Sequence, residues 1–365
     1  MRSINNTIVL VLLIGTNFLG LAQVSRTESI RLTQLAKRVT IIRDQWGIAH
    51  VYGKTDADAV FGMLYAQCED DFQRVEMNYI EKLGRLSEIK GSATLYNDLE
   101  TRLLIDATEA KSDYQKAAPW LKKLLNSYAD GINYYLYKNP KVKPLLLTHF
   151  EPWFPLLWTD GSIGAISTAD LTTTELKDFY GNSDDKIAFV AKEKDMQTGS
   201  NGFAIAPNKT ASGNAILYIN PHTTFYFRPE IQISSEEGLQ AYGAVTWGQF
   251  FIYQGFNENC GWMHTSNNVD VADMYAEKIS TKNNKLYYEY EAQLRPVTEK
   301  KITINYLENG KLIAKEFKTY FTHHGPIMAQ RDGKWISLKS NNRSMNSLVQ
   351  SWVRTKSQDL DRKST

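Results

Sequence analysis

Two regimes of hydrophobic patterning divide the chain. From about Asp56 to Leu147 apolar residues recur at helical spacing, as in Ala59, Val60, Met63 and Leu64 and again in Leu121, Leu124, Leu125 and Tyr128. Residues three and four apart share one side of a helix, so this spacing predicts helices packed through apolar faces. The run Glu151-Pro152-Trp153-Phe154-Pro155 closes that region, because proline lacks the N–H that a continuing helix needs. Leu156 to Thr174 then reads as one more apolar helix. Between Tyr180 and Gly199 the residues turn polar and charged, as in Gly181-Asn182-Ser183-Asp184-Asp185-Lys186 and Lys192-Glu193-Lys194-Asp195, which predicts an exposed connector. From Phe203 onward alternation takes over. Ala215 to Ile219, Phe225 to Ile233, Phe250 to Tyr253 and Ile302 to Tyr306 are rich in β-branched and aromatic residues and predict strands, with few helix signals between them. An α-rich part followed by a β-rich part is an α+β organisation. No internal repeat or low-complexity tract interrupts it.

Ahead of the helical region, Arg2 precedes an apolar stretch from Ile8 to Leu21, and Gly20-Leu21-Ala22 supplies the small residues of a signal-peptidase site, with cleavage expected after Ala22. The stretch is shorter than the roughly 20 apolar residues of a membrane span and is broken by Thr16 and Asn17. The expectation is export to the periplasm or the medium, with a membrane anchor as the alternative and no membrane contact once the signal is removed. The 365 residues are 42% hydrophobic and 22% charged, enough for one large globular domain or two smaller ones. Lys and Arg number 42 against 40 Asp and Glu, a net charge of +2 with no basic run, which argues against a nucleic-acid partner. Cys68 and Cys260 are the two cysteines, so no disulfide framework carries the fold; two thiols and one pair both remain open.

The candidate chemistry sits at Thr198-Gly199-Ser200-Asn201-Gly202-Phe203-Ala204-Ile205-Ala206-Pro207. If the Gly199–Ser200 bond breaks, Ser200 becomes an amino terminus. A free α-amine titrates at about 7.7–8.0, so near neutral pH much of it is unprotonated and can take the proton of its own residue's hydroxyl. Gly199 suits the break, because without a Cβ it reaches the geometry in which the hydroxyl meets the preceding carbonyl. A glycine-serine turn before a strand is the plainer reading of the same residues. A conventional serine hydrolase would need Gly-x-Ser-x-Gly, and Thr198 stands where the first glycine should be. Downstream, a strand-like run, a turn at Lys209 to Asn214 and a second strand lead to Asn220-Pro221-His222, a hairpin that ends on a histidine.

The order Gly-Ser-Asn, hairpin, Asn-Pro-His, then Trp262-Met263-His264-Thr265 resembles the penicillin acylase family of N-terminal nucleophile hydrolases, which includes acyl-homoserine lactone acylases. Arg43-Asp44-Gln45-Trp46-Gly47-Ile48-Ala49-His50, Asp56-Ala57-Asp58-Ala59-Val60-Phe61-Gly62 and Ala66-Gln67-Cys68-Glu69-Asp70-Asp71 resemble the opening of that family's α subunit, and the likeness runs from about Val39 to the end of the chain. The resemblance implies a four-layer αββα core and a precursor that becomes an α and a β chain. Its layout would be a signal over residues 1–22, an α-subunit-like part over 23–180, a spacer over 181–199 and a partial β-subunit-like part over 200–365 with a truncated carboxyl end. It implies hydrolysis of the amide of an N-acyl compound, either a penicillin-type β-lactam or an acyl-homoserine lactone. A catalytically inactive fragment or a small-molecule-binding protein of the same fold is the alternative.

The same resemblance assigns roles. Ser200 would be the nucleophile, and the backbone N–H of Ser266 one oxyanion donor, which tetrahedral intermediates of acyl transfer require. The second donor, an asparagine, would lie beyond Thr365, and neither Asn267 nor Asn268 is promoted to it. His222 would position the Ser200 hydroxyl and border the acyl pocket, or be a hydrogen-bonded histidine at a strand end. His50 and His264 would be structural. Phe225, Trp247, Phe251 and Phe256 would line an apolar acyl pocket or belong to ordinary core. His222 tilts the acyl group toward an aliphatic chain. Asp270, Asp273 and Glu175 would bind calcium, a hard cation suited to carboxylates and carbonyls; two aspartates three apart are also common on any surface. No organic cofactor is implied.

Overall fold

Eight helices follow one another as α1 (Arg26–Ala36), α2 (Asp56–Lys82), α3 (Ser87–Lys90), α4 (Leu95–Leu104), α5 (Ala107–Lys116), α6 (Pro119–Lys138), α7 (Thr173–Tyr180) and α8 (Met345–Lys356) among the described residues of the computed structural model. Those residues are 25–157, 168–181, 199–223, 226, 228–265, 271–340 and 345–357. The strands are β1 (Val39–Arg43), β2 (Ala49–Gly53), β3 (Ser200–Ile205), β4 (Ile216–Pro221), β5 (Glu230–Ser235), β6 (Gln240–Ala244), β7 (Gln254–Asn257), β8 (Gly261–Trp262), β9 (Ala272–Glu277), β10 (Ile279–Lys282), β11 (Lys285–Tyr290), β12 (Gln293–Pro296), β13 (Thr298–Glu308), β14 (Lys311–Phe321), β15 (Ile327–Arg331) and β16 (Lys334–Ser340). The α+β organisation holds. The expected signal over 1–22, nearly all of the 181–199 connector, and Phe225, Ser266 and Asp270 lie outside the described residues. Among those described, no helix is long and apolar enough to cross a membrane.

The helical spacing read from Asp56 onward is the inner face of α2. Its start is fixed by a capping box in which Thr55 accepts from the Asp58 N–H while the Asp58 carboxylate accepts from the Thr55 N–H. Ala59, Val60, Met63, Leu64, Val75, Tyr79 and Ile80 are all fully buried, packed on the sheet residues Ala49, Val51, Ile231 and Ile233 and on Leu121, Leu125 and Tyr128 of α6. α2 is broken at Asp71, whose backbone leaves the helical region (φ −159°, ψ 79°); its carboxylate accepts from the Arg74 N–H at 3.1 Å and so restarts the helix as an internal cap. Gly131 lets α6 come close, since a Cβ there would run into the Phe61 carbonyl.

Beneath α2 lies a six-stranded sheet in the order β1-β2-β5-β6-β7-β8, with β2 and β5 parallel and the other neighbours antiparallel. A second core joins α4 and α7 to strands β9 and β13 to β16, through Leu95, Leu99, Leu176, Ile304, Phe317, Met328, Ile336 and Leu338. Cys68 is buried, Cys260 partly exposed, and both carry free thiols.

Three expected elements differ. Phe250 to Tyr253 form no strand: all four side chains are buried, but the segment is bent and its backbone groups bond elsewhere. The Ile252 carbonyl accepts from the Trp262 indole N–H (3.1 Å) and the Thr355 hydroxyl (3.4 Å), and the Tyr253 N–H donates to the Ala244 carbonyl (2.9 Å). The turn just before is held by α2, where Gln67 donates to the Gln249 carbonyl (2.9 Å) and accepts from the Gly248 N–H (2.8 Å), Asn78 donates to the Trp247 carbonyl (2.9 Å), and the Tyr79 hydroxyl donates to the Gly248 carbonyl (2.6 Å). An apolar run of four cannot be told from a buried loop by composition when residues distant in sequence supply the polar partners. The strand expected from Phe225 begins only at Glu230. No single helix runs from Leu156 to Thr174, because a 3₁₀ turn covers Phe154–Leu157, residues 168–172 are loop, and α7 starts at Thr173 behind its own Thr172–Glu175 capping box.

Candidate active site

The hairpin read from sequence is the ribbon β3–β4, paired antiparallel with Ser200 opposite Pro221, Asn201 opposite Asn220 and Gly202 opposite Ile219. Its register brings the Asn-Pro-His run back to the Gly-Ser bond. The His222 N–H donates to the Gly199 carbonyl at 3.2 Å. The imidazole lies alongside: a Cβ placed on Gly199 would stand 3.9 Å from Nδ1 of His222. Nε2 is held between two amides, Asn201 Nδ2 at 3.0 Å and Asn220 Oδ1 at 3.1 Å.

The third block, residues 262–265, packs on the same ribbon. Gly202 makes the approach possible, for a Cβ there would overlap the Met263 sulfur. The Thr265 hydroxyl donates to the Ser200 carbonyl at 3.4 Å. Behind it, Gln254 donates to the His264 carbonyl (2.7 Å), the Trp262 indole N–H donates to the Ile252 carbonyl (3.1 Å), and the His264 ring stacks on Tyr253 with centroids 4.6 Å apart. Arg354 of α8 reaches Nε2 of His264 at 2.8 Å, and the Arg228 guanidinium lies 3.6 Å above the Tyr253 ring. Burial pushes Arg228 below its ordinary value, opposed by its contact with Tyr253. His264 is thus held through its carbonyl, its Nε2 and its ring face.

Two of the three amino-terminal blocks also meet, the first and the third. Arg43 pairs with Asp70 (2.8 Å) and Glu69 (3.2 Å), while Asp44 accepts from the Trp46 and Ile48 N–H groups and lies 3.3 Å from Nε2 of His50. These contacts shape the β1–β2 turn and fasten it to the middle of α2.

Of the candidate pocket residues, Trp247 and Phe251 belong to the first core, Phe256 lies on the sheet and Phe225 is outside the described residues. Trp247 is buried in a turn, donating its indole N–H to the Tyr226 carbonyl at 2.9 Å; Phe251 is fully buried beside Phe250; Phe256 is 48% exposed on β7 against Tyr242. Of the calcium candidates, Asp273 is exposed on β9 opposite Lys339. Glu175 is engaged: Oε1 accepts from Arg331 at 2.7 Å and Oε2 from the Thr172 N–H and hydroxyl at 3.0 Å. That arginine, more than any other contact, holds the Glu175 carboxyl below its ordinary range. A carboxylate already neutralised by a guanidinium fits a cation poorly, and the third candidate, Asp270, lies outside the described residues.

Sequence reasoning missed Asn201, Asn220, Thr265 and Gln254 as parts of the site. The first three lie inside quoted motifs, but only the strand register makes Asn201 and Asn220 neighbours.

Residues 38–362 match the family model for penicillin amidase. Among curated relatives, an acyl-homoserine lactone acylase QuiP of Pseudomonas fluorescens is 24% identical over 345 residues, covering 81% of this chain and 42% of that protein. A penicillin acylase 2 proenzyme of Pseudomonas sp. (strain SE83) is 22% identical over 370 residues, covering 86% and 46%. Among solved structures, a thermostable penicillin G acylase from Alcaligenes faecalis aligns with a TM-score of 0.36 at 20% identity, over 44% of this chain and 29% of that one. The chain therefore spans a little under half the length of the curated relatives it matches. With residues 38–362 of its 365 matched by that model, the chain belongs to the penicillin amidase family.

Proposed function

We propose that this protein is an exported, self-processing acylase that hydrolyses the amide of N-acyl compounds through Ser200 as an amino-terminal nucleophile, on a four-layer αββα core. The observation that carries the reading is the hairpin register, which sets the Gly199–Ser200 link against His222 and the 262–265 block. In self-cleavage the negative charge develops on the Gly199 carbonyl oxygen, and the His222 N–H already points at that oxygen. In turnover the freed Ser200 amine takes the hydroxyl proton, Oγ attacks the amide carbonyl, the amine product leaves, and water releases the acid from the acyl-enzyme. Ser266 N–H supplies one oxyanion donor in this reading. The relatives' names, acyl-homoserine lactone acylase and penicillin acylase, give the substrate classes, and His222 beside the nucleophile favours an aliphatic acyl chain. Calcium is no part of the proposed step.

Mass spectrometry of the exported protein tests the reading directly. The expected result is a chain beginning at Ser200, with amine release from an N-acyl homoserine lactone; Ser200→Ala should remain uncut and lose turnover altogether. A parent protein that stays intact, or an alanine variant that is cut and active, overturns it and favours a binding protein of the same fold.

A further inference from the structure

Before the Gly199–Ser200 bond breaks, the base used in turnover does not exist. The Ser200 nitrogen is an amide, with no lone pair to take a proton, so self-cleavage needs a different acceptor for the hydroxyl hydrogen. His222 is the titratable side chain placed at that bond, and its two nitrogens are in unlike surroundings. Nδ1 faces Gly199, while Nε2 lies 3.0 Å from a donor, Asn201 Nδ2, and 3.1 Å from an acceptor, Asn220 Oδ1. These two contacts exclude each other. With the proton on Nε2, the imidazole donates to Asn220 and Nδ1 keeps its lone pair; with the proton on Nδ1, Nε2 accepts from Asn201.

Resting on the self-processing reading above, we propose that Asn220 and Asn201 are opposed positioning residues that set the tautomer of His222, Asn220 selecting the form whose Nδ1 accepts the Ser200 hydroxyl proton and Asn201 the form that cannot. In the Asn220 form the hydroxyl proton passes to Nδ1 as Oγ bonds to the Gly199 carbonyl carbon. The resulting imidazolium keeps donating to Asn220 Oδ1 from Nε2, a bond strengthened by the charge. Nδ1–H then returns its proton to the Ser200 nitrogen as the carbon–nitrogen bond breaks, leaving an ester between Gly199 and Ser200 Oγ. Water hydrolyses that ester to the Gly199 carboxylate and a free Ser200. Asn201, as a donor facing Nε2, opposes both the basic tautomer and the cation.

The signature is a pair of effects of opposite sign, which a merely structural role for either asparagine does not produce. Asn220→Leu should slow the appearance of the Ser200 terminus at least about tenfold, within what a positioned base contributes; Asn220→Asp, which keeps an acceptor, should restore it. Asn201→Leu should cleave at or above the parental rate. In the uncut Ser200→Ala protein, nitrogen NMR of His222 should move toward the Nδ1–H form with Asn220→Leu and toward the Nε2–H form with Asn201→Leu, and unchanged thermal melts establish that the variants fold. Equal slowing by both leucine variants, or a tautomer indifferent to both, overturns the proposal while leaving self-processing intact. A parent that never cleaves removes the reading beneath it and the proposal together.

Discussion

At the residue scale the site depends on one missing methyl group. Gly202 sits mid-strand in β3, where any residue could adopt the backbone, so its lack of a Cβ matters for space and not for conformation. The Met263 sulfur fills that space and brings the 262–265 block onto the ribbon, where Thr265 reaches the Ser200 carbonyl. Gly202→Ala should therefore cost about 1 kcal/mol, because the flexible methionine end can partly give way. Its larger effect should fall on the site, with self-cleavage slowed as the block is pushed outward. Adding Met263→Ala should recover most of the loss in a urea melt and in cleavage rate. A double variant no better than Gly202→Ala alone would show that the glycine serves something other than this contact.

At the element scale α2 acts as a polar scaffold as much as an apolar one. Glu76, fully buried, accepts from three successive N–H groups, Leu145 (2.9 Å), Leu146 (2.7 Å) and Leu147 (2.8 Å), and so pins the segment that follows α6. Glu76→Leu should destabilise by roughly 3 kcal/mol, since it strands donors that have no other bond, whereas Tyr79→Phe, losing one hydroxyl bond to Gly248, should cost about 1 kcal/mol. Urea midpoints at constant slope check both values. The same helix shows what was legible in the chain and what was not. Ala59, Val60, Met63 and Leu64 announce a buried face by spacing alone, because a local period maps directly onto one side of a helix. Phe250 to Tyr253 read as a strand although they form a bent loop, since the turn just before them is held by Gln67, Asn78 and Tyr79, some 170 to 180 residues away, and the Ile252 carbonyl by the side chains of Trp262 and Thr355. Ser200 and His222 were legible as a motif; that Asn201 and Asn220 converge on the imidazole follows only from a cross-strand register.

Across the whole molecule, buried carboxylates tie separate elements together, and their protonation makes stability depend on pH. Asp98 of α4 accepts from the Leu86 N–H at 2.9 Å and from the Ser87 N–H at 2.6 Å, and the Ser87 hydroxyl donates on to the Asn305 carbonyl of β13. In the second core Glu277 of β9 accepts at one oxygen from Ser337 of β16 (2.6 Å), from Thr322 (2.8 Å) and from His324 (2.8 Å), gathering three elements. Burial pushes Glu277 up, but the bonds from Ser337, His324 and Thr322 outweigh it and leave the carboxyl below its ordinary 4.5. Asp98 runs the other way, raised above 3.8 chiefly by burial despite its bonds to Ser87 and Leu86. The signs then differ. Glu277 is protonated more readily in the unfolded chain, so its stabilisation is complete above 4.5 and is lost as pH falls through its lower folded value. Asp98 is protonated more readily in the folded chain, so it adds stability as pH falls through its raised value, partly masking the loss. Removing one group separates the two. Glu277→Gln should lower stability at neutral pH by about 2 kcal/mol, the loss of charge-assisted bonds, and the gap between variant and parent should close as pH drops below 4.5 and through the lowered folded value. Thermal melts taken from neutral pH downward measure that gap; a difference that stays constant would mean that the Glu277 charge contributes nothing to holding β9, β16 and the turn after β14 together.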